Sequence, residues 1–242
     1  MNIHIYPSPT ELNIGIADWL AMYIKQTLEK KDGFTIALSG GNTPKALYHL
    51  LAQEPYKTSV DWQRIHFFWG DERYVPSQDE SNNAHIAFEI LLNKVPVNPA
   101  HIYPINTELP PEDAANAYQS ILHQYFDGKP NTFDLILLGL GDNGHTLSLF
   151  PNTSILHEQT DWVKSFWLEE QGMFRISLTV PVTNQAAAIA FLVSGKSKAT
   201  MAKQIIEGGK GTEKFPAQLI KPSKTENFHW FLDYDAAKLL NK

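Results

Sequence analysis

The 242-residue chain contains no cysteine, which excludes a disulfide scaffold, a thiolate metal cage and a cysteine nucleophile together. Basic residues are in deficit, with 20 Lys and Arg against 26 Asp and Glu and a net charge of -6. That balance lacks the clustered cations by which a protein face binds nucleic acid or an anionic membrane, so any anion site must be local. No nucleic-acid or membrane partner is expected. The most apolar runs, such as "AAAIAFLV", fall far short of the ~20 residues a helix needs to span a bilayer. The start "MNIHIYPSPT" has no basic segment followed by a long apolar one, and a soluble, cytoplasmic protein is expected. The nine histidines show no HExxH or similar paired spacing, so no metal site is assigned. Repeats, low-complexity tracts and a Ser/Gly/Pro linker are also missing, and residues 1–242 are read as one α/β domain.

What the chain does have is alternation. Short apolar runs at "FTIAL" (Phe34 to Leu38), "RIHFFW" (Arg64 to Trp69), "FDLILLGL" (Phe133 to Leu140) and "AAIAFLVS" (Ala187 to Ser194) read as buried parallel strands. Between them lie stretches with helical apolar spacing: "TELNIGIADWLAMYIKQTLEKK", "PKALYHLLAQ", "NNAHIAFEILLNK", "PEDAANAYQSILHQYF" and "KATMAKQIIEG". The pattern predicts a doubly wound, Rossmann-like and mainly parallel sheet with helices on both faces. The runs "VKSFWLEE", "RISLTVP" and "NFHWFLDY" are further strands, antiparallel at an edge or in a small subsheet. In such a fold, function sits in the loops that follow strands.

The first of these loops is "SGGNTPKALYHLL". Gly40 and Gly41 let backbone amides approach a ligand, Thr43 reads as the N-cap, and Pro44 suits the first helical turn. Free amides and the helix dipole favour a phosphate there, with Ser39, Asn42 and Thr43 at hand for hydrogen bonds; an ordinary capped turn is the alternative. A Ser39 nucleophile elbow would need glycine where Ala37 stands. "GKS" at Gly195 to Ser197 is no Walker loop, because the first glycine would fall on Ala190 within a strand. It leaves Lys196 and Lys198 at a helix start, where a lysine either reaches a phosphate or is an ordinary surface charge. After "RIHFFW", the residues Asp71, Glu72 and Arg73 are open to three readings: a metal site, an ion-pair network or a polar substrate frame.

"GLGDNGHTLSLFP", Gly139 to Pro151, matches G-x-G-x-x-G by letters. A dinucleotide loop needs a full helix after the third glycine and an acidic residue closing the next strand. Pro151 comes too soon for that helix, and no apolar strand carries Glu158 or Asp161. Gly139, Gly141, Asn143 and Gly144 are therefore read as shaping a loop that exposes His145.

Together "SGGNTP", "FFWGDERYVP", "SNN" (Ser81 to Asn83), "GLGDNGHTLSLFP", "FRISLTVP" and "FLVSGKSK" resemble the 6-phosphogluconolactonase family, within a superfamily that includes glucosamine-6-phosphate isomerase/deaminase enzymes. "GHTLSLFP" and Arg73 fall on the lactonase side. The resemblance implies metal-free, cofactor-free hydrolysis of a small phosphorylated sugar lactone. It implies His145 as general base, Arg73, Arg175 and Lys198 as cations for phosphate or carbonyl oxygen, and Asp71 as orienting His145 or binding sugar hydroxyls. Arg175 and Lys198 are assigned chiefly to phosphate, over the Ser39 to Thr43 loop. The chain departs from the family pattern at Asn143 (commonly Asp), Leu147 (Ala), Asn42 (Ser) and Asn152 (Gly); Asn143 is read as a turn residue, the alternatives being a less basic His145 or a charge supplied by Asp142. A sugar-phosphate isomerase or deaminase, and a non-catalytic sugar-phosphate sensor, are the competing functions.

Overall fold

The four apolar runs lie side by side at the centre of one sheet. A computed structural model describes residues 1–208, 214–222 and 224–241. Its strands are β1 (Asn2–Tyr6), β2 (Phe34–Leu38), β3 (Ile65–Trp69), β4 (Asp71–Arg73), β5 (Ile102–Tyr103), β6 (Leu135–Leu138), β7 (Val163–Leu168), β8 (Met173–Leu178), β9 (Ile189–Val193) and β10 (Phe228–Asp233). Seven form a parallel sheet in the order β1-β10-β9-β6-β2-β3-β5, and three form an antiparallel sheet in the order β4-β8-β7. Every residue of β2, β6 and β9 is buried, which is why they read as unbroken apolar runs.

Flanking helices follow from apolar spacing and caps. In Pro9–Leu28, Leu12, Ile16, Leu20, Ile24 and Leu28 are buried at four-residue steps, and Ser8 caps the start by accepting from the Glu11 N–H. Helix Asn42–Leu51 packs beside it, and Pro111–Phe126 packs against β7 and β8.

Two strands depart from expectation. "NFHWFLDY" gives β10, which is parallel and interior, between β1 and β9; Phe228, Trp230, Phe231 and Leu232 are all buried, as an internal strand requires. β1 has no counterpart in the sequence reading. Its two isoleucines, Ile3 and Ile5, face solvent while Asn2, His4 and Tyr6 are half-buried, the reverse of the usual alternation.

The strand order positions the site. From β2 the chain moves outward to β3 and β5, then returns to the other side of β2 as β6 and continues through β9 and β10. Loops after β2 and β6 therefore leave in opposite directions, and a crevice opens at their carboxyl ends. Two buried tyrosines hold this edge. Tyr48 Oη accepts from Ser39 N at 3.0 Å and donates to Ser39 O at 2.9 Å, while Tyr118 Oη makes the same pair with Trp69, both at 2.8 Å. Burial raises both phenols above their ordinary pKa, so each keeps the proton it donates. Gly70 joins the sheets: its N–H bonds Leu38 O and its carbonyl accepts from Leu178 N, each at 2.9 Å.

Candidate active site

A cavity of about 360 Å³ opens at that crevice. The turn after β2 contributes Ser39, Gly40 and Gly41; β4 contributes Asp71 and Arg73; the loop after β6 contributes Gly139 to Asp142 and His145; β8 contributes Arg175; and Lys198 follows β9. Residues as far apart as Ser39 and Lys198 are thus brought to one place, by parallel strands ending on the same side and by the small antiparallel sheet beside them.

His145 occupies the far end of a tight loop, with Gly141 N donating to His145 O at 2.8 Å and Gly144 N to Gly141 O at 3.0 Å. Gly144 has φ +78, a conformation side chains seldom adopt, and an added Cβ would lie 2.6 Å from Phe215. Gly141 passes so close to the imidazole that a Cβ would lie 2.0 Å from His145 Nδ1. The ring stacks on Phe150 with centroids 4.0 Å apart. Its pKa is lowered to about 4, chiefly by burial, with Arg175 and Lys198 adding to the lowering and Asp71 and Asp142 opposing it. At neutral pH the imidazole is uncharged and free to accept a proton.

Two guanidiniums meet in the small sheet, where Arg73 pairs directly across from Arg175. Arg73 Nη1 donates to Ser81 O at 2.7 Å. Arg175 is only 5% exposed, donates to Gln171 Oε1, and lies over the Phe150 ring at 5.8 Å. Its burial and the charge of Arg73 both lower its pKa, with Asp71 acting in the opposite direction. Lys198 Nζ reaches Asp142 Oδ1 at 2.6 Å. Asp233 holds the preceding turn, accepting from Ser194 Oγ at 2.5 Å and Gly195 N at 2.8 Å.

Several sequence expectations are corrected. Thr43 is not the N-cap: helix Asn42–Leu51 begins two residues earlier than that cap would give, Gly41 is the cap, and no side chain caps it. Asn42 and Thr43 fall outside the cavity lining, which this loop joins through Ser39, Gly40 and Gly41. Gly139 has no steric need to be glycine, since a Cβ there meets nothing within 4 Å. Asp71 has no hydrogen bond to His145; its Oδ2 accepts from Ser148 Oγ at 2.6 Å, and it acts on the ring through its field. Asn143 does shape the turn, since its Oδ1 accepts from His145 N at 3.2 Å, and it also contacts ring Nδ1 at 2.6 Å. Asn152 has φ 62, a region asparagine tolerates well, which accounts for its standing in a glycine's place.

Glu72 belongs to none of the three readings given for its cluster. It is fully buried and accepts backbone N–H bonds from Arg73 at 2.9 Å, Asn83 at 2.7 Å and Ala84 at 2.9 Å. Burial raises its pKa to about 7 against those donors. It is a structural tie between β4 and helix Asn83–Ala87, and it places Asn83 in the cavity wall, where Asn83 Nδ2 donates to Asp71 O at 3.0 Å. Asn83, Gln171 and Phe150 are among the lining residues that sequence reasoning missed; "SNN" was the available signal for the first. Among the described residues, no three His, Asp or Glu side chains form a metal-ligand group.

Known proteins similar to this chain are numerous. The family model of glucosamine-6-phosphate isomerases/6-phosphogluconolactonase matches residues 7–230. A 6-phosphogluconolactonase of Synechocystis sp. is 38% identical over 221 residues, spanning 90% of this chain and 89% of its own. The crystal structure of a devB protein superimposes with TM-score 0.89 at 33% identity, covering 99% of both chains. The 6-phosphogluconolactonase of Trypanosoma brucei superimposes with TM-score 0.85 at 26% identity, covering 99% of this chain and 98% of that one. The chain belongs to the glucosamine-6-phosphate isomerase/6-phosphogluconolactonase superfamily, in its 6-phosphogluconolactonase family.

Proposed function

We propose that the chain hydrolyses 6-phospho-D-glucono-1,5-lactone to 6-phospho-D-gluconate, in the oxidative pentose phosphate pathway. The observation that carries this reading is an uncharged, ring-stacked His145 in the same cavity as Arg73, Arg175, Lys198 and the open Gly40–Gly41 turn. One end of such a site suits a phosphate and the other suits attack of water on a carbonyl.

In this mechanism His145 Nε2 takes a proton from water as its oxygen bonds to C1. The carbonyl electrons move onto oxygen, where Arg73 stabilises the charge. As the carbonyl re-forms, the C1 to ring-oxygen bond breaks, and the imidazolium returns its proton to the departing alkoxide. The new carboxylic acid then ionises, releasing one proton per turnover. Low basicity at His145 slows the first transfer and helps the second, because its conjugate acid gives the proton up readily. Arg175 and Lys198 hold the 6-phosphate over the Ser39–Gly41 turn. Asp71, fixed on one side by Ser148, offers its other oxygen to a sugar hydroxyl.

The test is substrate preference. Proton release from 6-phosphogluconolactone should exceed the spontaneous rate and fall sharply for the unphosphorylated lactone. Ammonia release from glucosamine 6-phosphate would instead place the activity with the deaminases, and binding of 6-phosphogluconate without lactone turnover would indicate a sensor.

A further inference from the structure

Asparagine stands at 143 where the resemblance leads one to expect aspartate, and its side chain lies on the imidazole itself. Asn143 Oδ1 is 2.6 Å from His145 Nδ1 and also accepts from the His145 backbone N–H at 3.2 Å. An atom that accepts from a backbone N–H is the amide oxygen, and an amide oxygen has no proton to give. The Nδ1 contact therefore requires the proton to be on the ring at Nδ1. Phe150 against one face and Gly141 against the Nδ1 edge oppose a ring flip that would exchange the nitrogens.

We propose that Asn143 is a positioning residue: it locks His145 in the Nδ1–H tautomer and leaves bare Nε2 to act, without placing a carboxylate against the ring. The inference rests on His145 being the base of lactone hydrolysis. The charges that face the ring are Asp71 from β4, Asp142 from its own loop, Arg175 from β8 and Lys198 after β9, two of each sign. An aspartate at 143 would add an anion in direct contact and favour the imidazolium. The amide supplies orientation alone. The consequence is a base that stays unprotonated in mildly acidic solution and whose conjugate acid readily protonates the leaving ring oxygen.

Histidine-selective 15N NMR on the whole, unliganded protein reads both tautomer and titration with no turnover. Wild-type His145 should carry its proton on Nδ1 at pH 7. Asn143→Asp should keep that tautomer, raise the His145 titration midpoint by about one unit or more, and move the acid limb of kcat/KM upward equally. Asn143→Ala should lose the tautomer preference and lower kcat with KM held. A wild-type ring protonated at Nε2, or an Asn143→Asp protein titrating where wild type does, would overturn the inference. The wild-type measurement decides even if a variant does not fold. The tautomer and the shift appearing in a protein that hydrolyses no lactone would leave the positioning intact and reject the lactonase reading.

Discussion

Arg73 and Arg175 stand directly opposite each other across the β4–β8 ladder, both lining the cavity. Like charges at opposed positions destabilise a sheet, and Arg175 is buried as well. In the proposed mechanism this cost is offset by substrate, whose developing oxyanion faces Arg73 and whose 6-phosphate faces Arg175. Arg175→Met should therefore keep or raise the Tm, while raising KM for the phosphorylated lactone at least about tenfold with kcat little changed. The unphosphorylated lactone should be turned over equally by both proteins. A fall in Tm with unchanged KM would make Arg175 a structural residue instead.

Gly141→Ala should uncouple folding from catalysis. A Cβ 2.0 Å from Nδ1 cannot coexist with the present ring position, so the imidazole must move. Displacement of a reacting group by about 1 Å costs roughly 10²-fold in rate. The expected outcome is a kcat lower by about that factor with circular dichroism unchanged.

Glu72→Ala strips three backbone donors of their acceptor inside the protein. Loss of roughly 1–3 kcal/mol for each donor left unsatisfied is the scale of such changes, and urea unfolding measures it. Because the same contacts place Asn83 and Arg73, kcat/KM should fall too. A variant as stable as wild type would contradict the structural role given to this carboxylate.

Loss of stability in acid follows from histidines held neutral. Burial lowers His66, His145 and His229 to about 4 from 6.5, and lowers His4 as well. Between those values the unfolded chain binds more protons than the folded one, so stability rises with pH there and is lost as pH falls. Glu72, raised to about 7, acts in the opposite direction as pH rises above 4.5. Four histidines outweigh one carboxylate, and urea midpoints should drop from pH 6.5 to pH 4.5. A flat profile would contradict the burial of these rings.

The centre of the fold was legible because β2, β3, β6 and β9 are buried on both faces and read as continuous apolar runs. β1 was not, because its apolar side chains point outward on an edge strand and its pairing is set by β10, over 220 residues away. His145, Arg73 and Lys198 were legible because they follow strands of the parallel sheet at one end, whereas Arg175, inside antiparallel β8, was reached only through the family resemblance. What the sequence did not disclose was division of labour among neighbours. Asp71 and Glu72 are adjacent carboxylates, yet one faces the cavity and the other turns inward, as alternation along β4 dictates. Likewise the turn reading at Asn143 does not reveal that one side-chain oxygen serves both the turn and the ring.

The central claim is that a neutral His145 activates water toward a phosphorylated lactone. Proton release from freshly prepared 6-phosphogluconolactone, followed at constant pH for wild type and His145→Ala, tests it most directly. The account predicts acceleration over the spontaneous rate by wild type, and a loss of about 10² to 10⁴ in kcat for the variant with 6-phosphogluconate binding retained. Equal rates for the two proteins, or no acceleration by wild type, would contradict it.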